Sequence, residues 1–390
     1  MKTEKIQAIV IGCGYVADLY MSDLLKADYI EIVGCHDISS KRLNKFSQFY
    51  GVKPYASLDE VIKCVAEIWI ILTNPSAHIS LCRLGLEHNR HIYCEKPLGG
   101  DISKINNLLK AAIDKRLCLQ TAPSNIYSSA SSDLKTALTN NKIGTPKLAY
   151  INYEAGMTHL LGYEKWVSAT GALWPAKEEF ELGCLQEHGG YVLTLACWLW
   201  GEVEHVSLIS DLIFPDKGLV KGQFAPDLNI LYIQFKSGMK VKASVGMVAT
   251  PDRTLTIYGD EGSLHIRDIR DDAAVVLHSP YPGSRLSKAI HVRIFALTNK
   301  VSRIFGFLPF CWNIKAELYR SIGKRSNLSK IFGNKTKNAS FSLGIEKICN
   351  DIKANTPDYT SIKISRHIQE ILNEIDQNRT KITPKRTSLK

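Results

Sequence analysis

The sequence predicts an α/β domain on a parallel sheet at the N-terminus, followed by an α+β domain with an open, mostly antiparallel sheet. Three observations predict it. Over the first 125 residues short apolar runs alternate with helical periodicity; a glycine-rich turn joins the first run to the first helix; and beyond residue 146 longer strand-like segments follow one another across tight turns.

Taken in order, Ile6–Ile11 reads as a buried strand and 15–26 has helical spacing. A second apolar run, 30–35, precedes a helix over 41–50 that Gly51 ends. The run 68–72 is another buried-type strand, with a helix over 77–86 after it. Strands at 91–94 and 117–121 flank a helix over 102–115. Strands alternating with helices of this length form βαβ units, with parallel strands and right-handed crossovers. In the second half, 147–154, 205–211, 228–235, 240–248 and 254–258 read as strands. Lys236-Ser237-Gly238 and Gly259-Asp260-Glu261-Gly262 serve as hairpin turns. An antiparallel sheet with one polar or partly covered face is expected. A helical stretch over 191–200 interrupts it, and helical periodicity returns over 341–353 and 365–376. The expected units are 1–125 and 126–390.

A chain of 390 residues, 45% apolar and 22% charged, suits two globular domains and excludes disorder throughout. No apolar run reaches the roughly 18–20 residues of a membrane span. The N-terminus has no secretory h-region, and the ten cysteines form no CxxC pair, so a cytoplasmic protein with free thiols is expected. No metal site is expected. The net charge of +11 is local: residues 284–340 carry twelve Lys/Arg and a single acid, Glu317, and the rest of the chain is balanced. That segment interleaves its cations with Ile, Phe and Trp. It reads as an extension packed over the second domain, as a peripheral contact with an anionic membrane face, or as a binder of charged substrate. Nucleic acid is not expected, because no recognised motif accompanies the charge.

The first strand runs into Gly12-Cys13-Gly14-Tyr15-Val16-Ala17, a GxGxxA turn opening a helix. Gly12 permits the tight turn, Gly14 lets backbone N–H groups approach a pyrophosphate, and Ala17 lets the helix pack close to the sheet. Asp37 follows the second strand. A carboxylate there accepts hydrogen bonds from a ribose 2′-OH and repels a 2′-phosphate, which favours NAD over NADP. Lys41 and Arg42 lie close by, so NADP stays open. The expectation is a dinucleotide-binding Rossmann domain.

Glu95-Lys96-Pro97 closes the strand at 91–94, at the sheet edge outside which ligands bind in such folds. A lysine there can donate a proton to a substrate oxygen, and burial can lower its pKa toward neutrality.

With these motifs the chain resembles the glucose–fructose oxidoreductase / inositol dehydrogenase / MocA family over nearly its whole length. The resemblance rests on the glycine turn, Asp37, Thr73-Asn74-Pro75-Ser76-Ala77-His78 and Glu95-Lys96-Pro97. It continues through Lys142-Ile143-Gly144, Trp198-Leu199-Trp200-Gly201 and Thr254-Leu255-Thr256-Ile257-Tyr258-Gly259. It implies a substrate site between the two domains, Lys96 as active-site lysine, a cis bond before Pro97, and homo-oligomers (dimer or tetramer) formed through the open sheet. It also implies cofactor contacts from Thr73, Asn74, His78 and Glu95. The family's Asp-x-x-x-His pair falls on Glu187 and Tyr191, so this chain departs from the common pattern. Four residues apart, the two share a helical face, and Tyr can donate to a substrate oxygen. His188 is the neighbouring candidate. Asn125 is a candidate for a sugar hydroxyl, and Trp174 for stacking on a sugar ring or packing in the core.

The expected function is NAD(P)-dependent hydride transfer to or from a carbon of a sugar, nucleotide sugar or cyclitol, with Lys96, Tyr191 and Glu187 handling the proton. The alternatives are a non-catalytic NAD-binding sensor or scaffold and an NAD-dependent glycosidase.

Overall fold

The computed structural model describes residues 5–218, 220–281 and 340–379. Strands β1 (Ile6–Ile11), β2 (Ile30–His36), β3 (Lys53–Pro54), β4 (Ile68–Ile71), β5 (His91–Cys94) and β6 (Leu119–Thr121) form one sheet in the order β3-β2-β1-β4-β5-β6. Every pairing in it is parallel. β4 is buried at every residue, as a parallel strand covered on both faces must be. Helices α1 (Tyr15–Leu24), α2 (Ser40–Tyr50), α3 (Leu58–Ile62), α4 (Pro75–Glu87) and α5 (Ile102–Asp114) alternate with the strands. Their starts follow capping chemistry: Ser39, Ser57 and Asp101 each accept a backbone N–H from the first turn of α2, α3 and α5. The strand order reverses between β1 and β4, which opens a crevice at their carboxyl ends.

After α6 (Ser129–Thr139), β7 (Pro146–Glu154) starts the second sheet. The chain then runs through a short helix, α7 (Ala176–Leu182), and a long one, α8 (Cys184–Trp200), before β8 (Val203–Asp211), β9 (Leu228–Phe235), β10 (Lys240–Gly246), β11 (Leu255–Gly259), β12 (Gly262–Ile266) and β13 (Leu277–Pro280). The seven strands lie in the order β13-β12-β11-β7-β10-β9-β8. All pairs are antiparallel except β7 with β10. The two parallel strands are far apart in sequence, so the crossover has room to carry α7 and α8. α8 covers one face, where Ile151, Ile233, Val241 and Ala243 are fully buried with Val192 and Ala196. The other face leaves Tyr150 and Tyr232 about two-fifths exposed. α8 begins at Cys184, earlier than the expected 191, because Gly189-Gly190 depresses local helix propensity and packing overrides it.

The last two helices tie the layers together. In α9 (Leu343–Ala354), Ile345, Ile348 and Cys349 join the core of the parallel sheet. Gly344 lets that helix approach so closely that a Cβ there would stand 2.4 Å from the Tyr93 ring. In α10 (Thr360–Arg379), Ile362 packs with the first sheet's core, whereas Ile371 and Ile375 pack with the second's. Two helices of the expected 126–390 unit thus lie against the first sheet. Of the basic stretch 284–340, all but Ser340 lies outside the described residues. Among the described residues no helix is long and apolar enough to cross a membrane, no cluster suits a metal ion, and the nine cysteines are buried and unpaired.

Candidate active site

The crevice is lined first by the glycine turn. Gly12 has φ +98°, and a Cβ on it would stand 2.6 Å from the Leu72 carbonyl oxygen, so only glycine fits. The position a Cβ would take on Gly14 is clear for 4 Å. No side chain caps the start of α1, which leaves its first N–H groups, from Tyr15 and Val16, turned to the crevice. A diphosphate fits this cradle. Ala17 is fully buried against the sheet.

Asp37 is buried, with both oxygens engaged. Oδ2 accepts from Cys13 N at 2.9 Å and Arg42 Nε at 3.1 Å; Oδ1 accepts from Ser39 N at 2.7 Å and Arg42 Nη2 at 2.7 Å. Burial disfavours the charged form, but the Arg42 guanidinium and the two backbone donors outweigh it and hold the carboxyl below its usual range.

Thr73 and Asn74 sit where β4 ends and α4 begins, and Asn74 caps that helix by position without a side-chain bond. His78 lies beneath these loops. It is 0% exposed, with Nδ1 2.8 Å from the Pro97 carbonyl and Nε2 2.9 Å from the Thr73 carbonyl. Lying between two carbonyls, it braces the two loops at the crevice mouth. Glu95 is likewise occupied: Oε1 accepts the Tyr20 hydroxyl at 2.6 Å and Oε2 the Lys96 N–H at 2.8 Å. The peptide bond before Pro97 is cis, as is the one before Pro123.

From this bracing the Lys96 side chain crosses to the second domain, where its Nζ donates to Glu187 Oε2 at the start of α8. The lysine side chain is only 20% exposed and the carboxylate 11%. The expected fall in the Lys96 pKa is corrected here. Burial does oppose its charge, but Glu187, then Tyr191, Glu95 and Glu179, outweigh burial and raise the pKa. Lys96 therefore stands as an ammonium, a proton donor and not a neutral base.

Tyr191 lies one turn along α8 from Glu187, its ring stacked on Tyr153 at 5.2 Å and 14°. His188 stacks on the same ring at 4.9 Å. Burial, then the Lys96, Arg270 and Arg253 charges, push His188 down to about 3, so it is neutral at ordinary pH. Asn125 is buried beneath, where its Nδ2 donates to the Tyr191 carbonyl at 3.3 Å and its Oδ1 has no partner among the described residues. Trp174 is part-buried and packs edge-on against Tyr163, Trp166 and Phe180.

Sequence reasoning missed Glu179 on α7. Phe180, buried among Tyr163, Trp174 and Phe224, anchors that short helix. Glu179 then meets Glu187 side chain to side chain. Burial first, and the Glu187 charge second, push Glu179 from 4.5 up to about 8, with Lys96 opposing. Glu179 therefore keeps its proton beside the Glu187 carboxyl and the Lys96 ammonium. No spacing rule links residues on two helices broken at Gly183, so nothing in the sequence pointed to it. The folded protein keeps a proton here that the unfolded chain releases near pH 4.5. Stability from this pair is therefore complete below that pH and is lost as pH rises toward 8. In Glu179→Gln that slope should vanish from thermal melts run across this range, and the variant should outlast the wild type at pH 8. An unchanged slope would mean that Glu179 does not hold this proton.

A parallel sheet that carries a glycine turn after β1 and a lysine–carboxylate pair after β5, at the same sheet edge, has the architecture of dinucleotide-binding oxidoreductases. Residues 6–122 match the model of the oxidoreductase family with NAD-binding Rossmann fold, and residues 132–265 match the GFO/IDH/MocA C-terminal domain. The chain belongs to the Gfo/Idh/MocA oxidoreductase family. It is 21% identical to a myo-inositol 2-dehydrogenase of Thermotoga maritima over 271 residues, covering 68% of this chain and 77% of that one. It is 22% identical to the NADP(+)-dependent scyllo-inositol 2-dehydrogenase IolU of Bacillus subtilis over 206 residues, 52% and 60% of the two chains. Its match to the oxidoreductase YrbE of the same organism, 24% identical, spans 44% of that protein. Among solved structures, an oxidoreductase from Agrobacterium radiobacter in complex with NAD+, L-tartaric acid and magnesium aligns at TM-score 0.69 and 13% identity, over 97% of both chains. The WlbA dehydrogenase of Bordetella pertussis in complex with NADH and UDP-GlcNAcA aligns at 0.68 and 16%, over 98% of this chain and 97% of that one. At these identities the likeness is one of fold.

Proposed function

We propose that this protein is a dehydrogenase or reductase that moves hydride between a nicotinamide cofactor and a CH–OH carbon of a sugar, nucleotide sugar or cyclitol. The observation that carries the reading is the Lys96–Glu187 pair, held at the carboxyl end of β5, the same sheet edge as the glycine turn. When bound, the nicotinamide accepts or donates the hydride. The chain's own residues handle the proton. In reduction the Lys96 ammonium donates to the substrate oxygen, Tyr191 donates a hydrogen bond to the same oxygen, and the carboxyl pair restores the lysine's proton. Oxidation reverses this, with Glu187 receiving through Lys96 the proton that the hydroxyl loses. Named relatives that act on inositols support the substrate class.

Asp37 supports NAD. Its anionic carboxylate faces the ribose end of the cradle and repels a 2′-phosphate, while Arg42 is committed to it by two hydrogen bonds. A fluorescence titration should show NADH binding at least roughly tenfold tighter than NADPH, the scale of one charged contact. Equal affinity would mean that Arg42 swings free to serve the phosphate. A polyol screen that follows reduced nicotinamide comes next. Net accumulation of reduced cofactor separates this reading from a silent sensor and from a glycosidase that recycles its hydride. A second copy of this chain against the open sheet face, cytoplasmic residence and a membrane contact through 284–340 belong to the same proposal, and light scattering and liposome sedimentation test them.

A further inference from the structure

Arg270 follows β12 in the second domain. Its Nη1 donates to the Tyr153 hydroxyl at 3.0 Å, and its Cζ lies 5.1 Å from the centre of the Tyr191 ring. Its Nε is buried with no partner among the described residues. A guanidinium is always charged, and a buried charge ordinarily has an ionic partner. Here the carboxylates within reach are turned to other donors. Asp268 binds the neighbouring Arg253 at 2.9 Å and accepts the Arg270 backbone N–H at 2.8 Å. Asp272 accepts Ser340 N and stands at about 6, raised by burial. Arg253 is thus paired, while Arg270, on the same patch, makes no ion pair among the described residues. Both lower the pKa of His188, a sign that the positive field reaches the substrate side of α8.

We propose that Arg270 receives an anionic group of the substrate, a carboxylate or a phosphate, and so makes this a site for acidic sugars or sugar phosphates over neutral ones. The proposal rests on Tyr191 facing the substrate, as in the reading above. Anion binding would supply the missing counter-charge, an anionic oxygen accepting from the unpartnered Nε while Tyr153 holds Nη1.

The test uses the full chain and two variants, Arg270→Met and Arg270→Lys, with D-glucuronate, inorganic phosphate and D-glucose as probes against matched potassium chloride. In the ligand-free protein Arg270→Met should melt at or above the wild-type temperature, because an unpaired buried charge leaves. Glucuronate or phosphate should raise the wild-type melting temperature where glucose and chloride do not, and the larger shift assigns carboxylate or phosphate. The Met variant should bind the anion roughly tenfold to a hundredfold more weakly, the scale of a lost charged hydrogen bond; Lys should retain part of it. A marked drop in melting temperature for Arg270→Met would make the residue structural and overturn the proposal. So would an anion shift that survives the substitution, or no anion shift in the wild type beyond that of chloride. These melts need no cofactor, so a failure of NADH to bind, which would strike the oxidoreductase reading, is a separate result.

Discussion

Lys96→Met is expected to lower turnover by about 10²–10⁴-fold, the usual range for a positioned proton donor, while NADH binding changes little. Two features of the site predict this division. The cofactor cradle is built from the glycine turn and the start of α1, and Lys96 contributes nothing to it. The lysine is instead spent on Glu187, with the ammonium held charged by the acids around it. Removing it leaves a nearly buried pair of carboxyls with no counter-charge. The Glu179 proton, which Lys96 helps to expel, then becomes harder to lose, so the residual activity should need higher pH than the wild type. Single-turnover rates with saturating cofactor, set beside an NADH titration, separate the two effects. Equal losses in cofactor affinity and in rate would mean that Lys96 organises the crevice and does not serve the reacting oxygen.

Gly12→Ala should act at the opposite end of the crevice and on a different quantity. The backbone there holds φ +98°, which costs an L-residue about 1–3 kcal/mol. The added Cβ would also press on the Leu72 carbonyl carbon and oxygen, which β4 holds rigidly in place. Relief requires the turn to move away from β4, and with it the N–H groups that face a diphosphate. A loss of stability exceeding the strain alone is expected in urea melts, together with loss of measurable NADH binding. Gly14→Ala meets nothing within 4 Å in the free protein and should fold normally while still weakening the cofactor. A Gly12 variant of wild-type stability and affinity would mean that the turn does not hold this conformation in solution.

These contrasts show how much could be read from the chain. The βαβ half was legible because its signals are local: apolar runs, caps and the glycine turn lie within a few residues of one another. Lys96 stood out through its motif, and Glu187 and Tyr191 through the family resemblance; the structure brings the first two together. The packing of His78 between two carbonyls was not legible, since a histidine beside a loop reads the same whatever its ring meets. Glu179 and Arg270 left no trace because their roles come from burial and from partners on other elements. The parallel pairing of β7 with β10 was equally hidden, being fixed by where the chain returns after α8 and not by either strand's own pattern. The start of α8 was obscured by glycines that tertiary packing tolerates.

The last helix gives the molecule a mechanical property. α10 seats Ile362 in one core and Ile371 and Ile375 in the other, and His367 between them accepts the Val203 backbone N–H at 2.9 Å. The two walls of the crevice are therefore splinted by a single rod. They cannot swing apart freely as two bodies on a flexible tether would; the gap can widen only by bending or sliding that rod. Tightening one wall around a dinucleotide is thereby felt at the other, so occupancy of the first should lend resistance to unfolding across the whole chain.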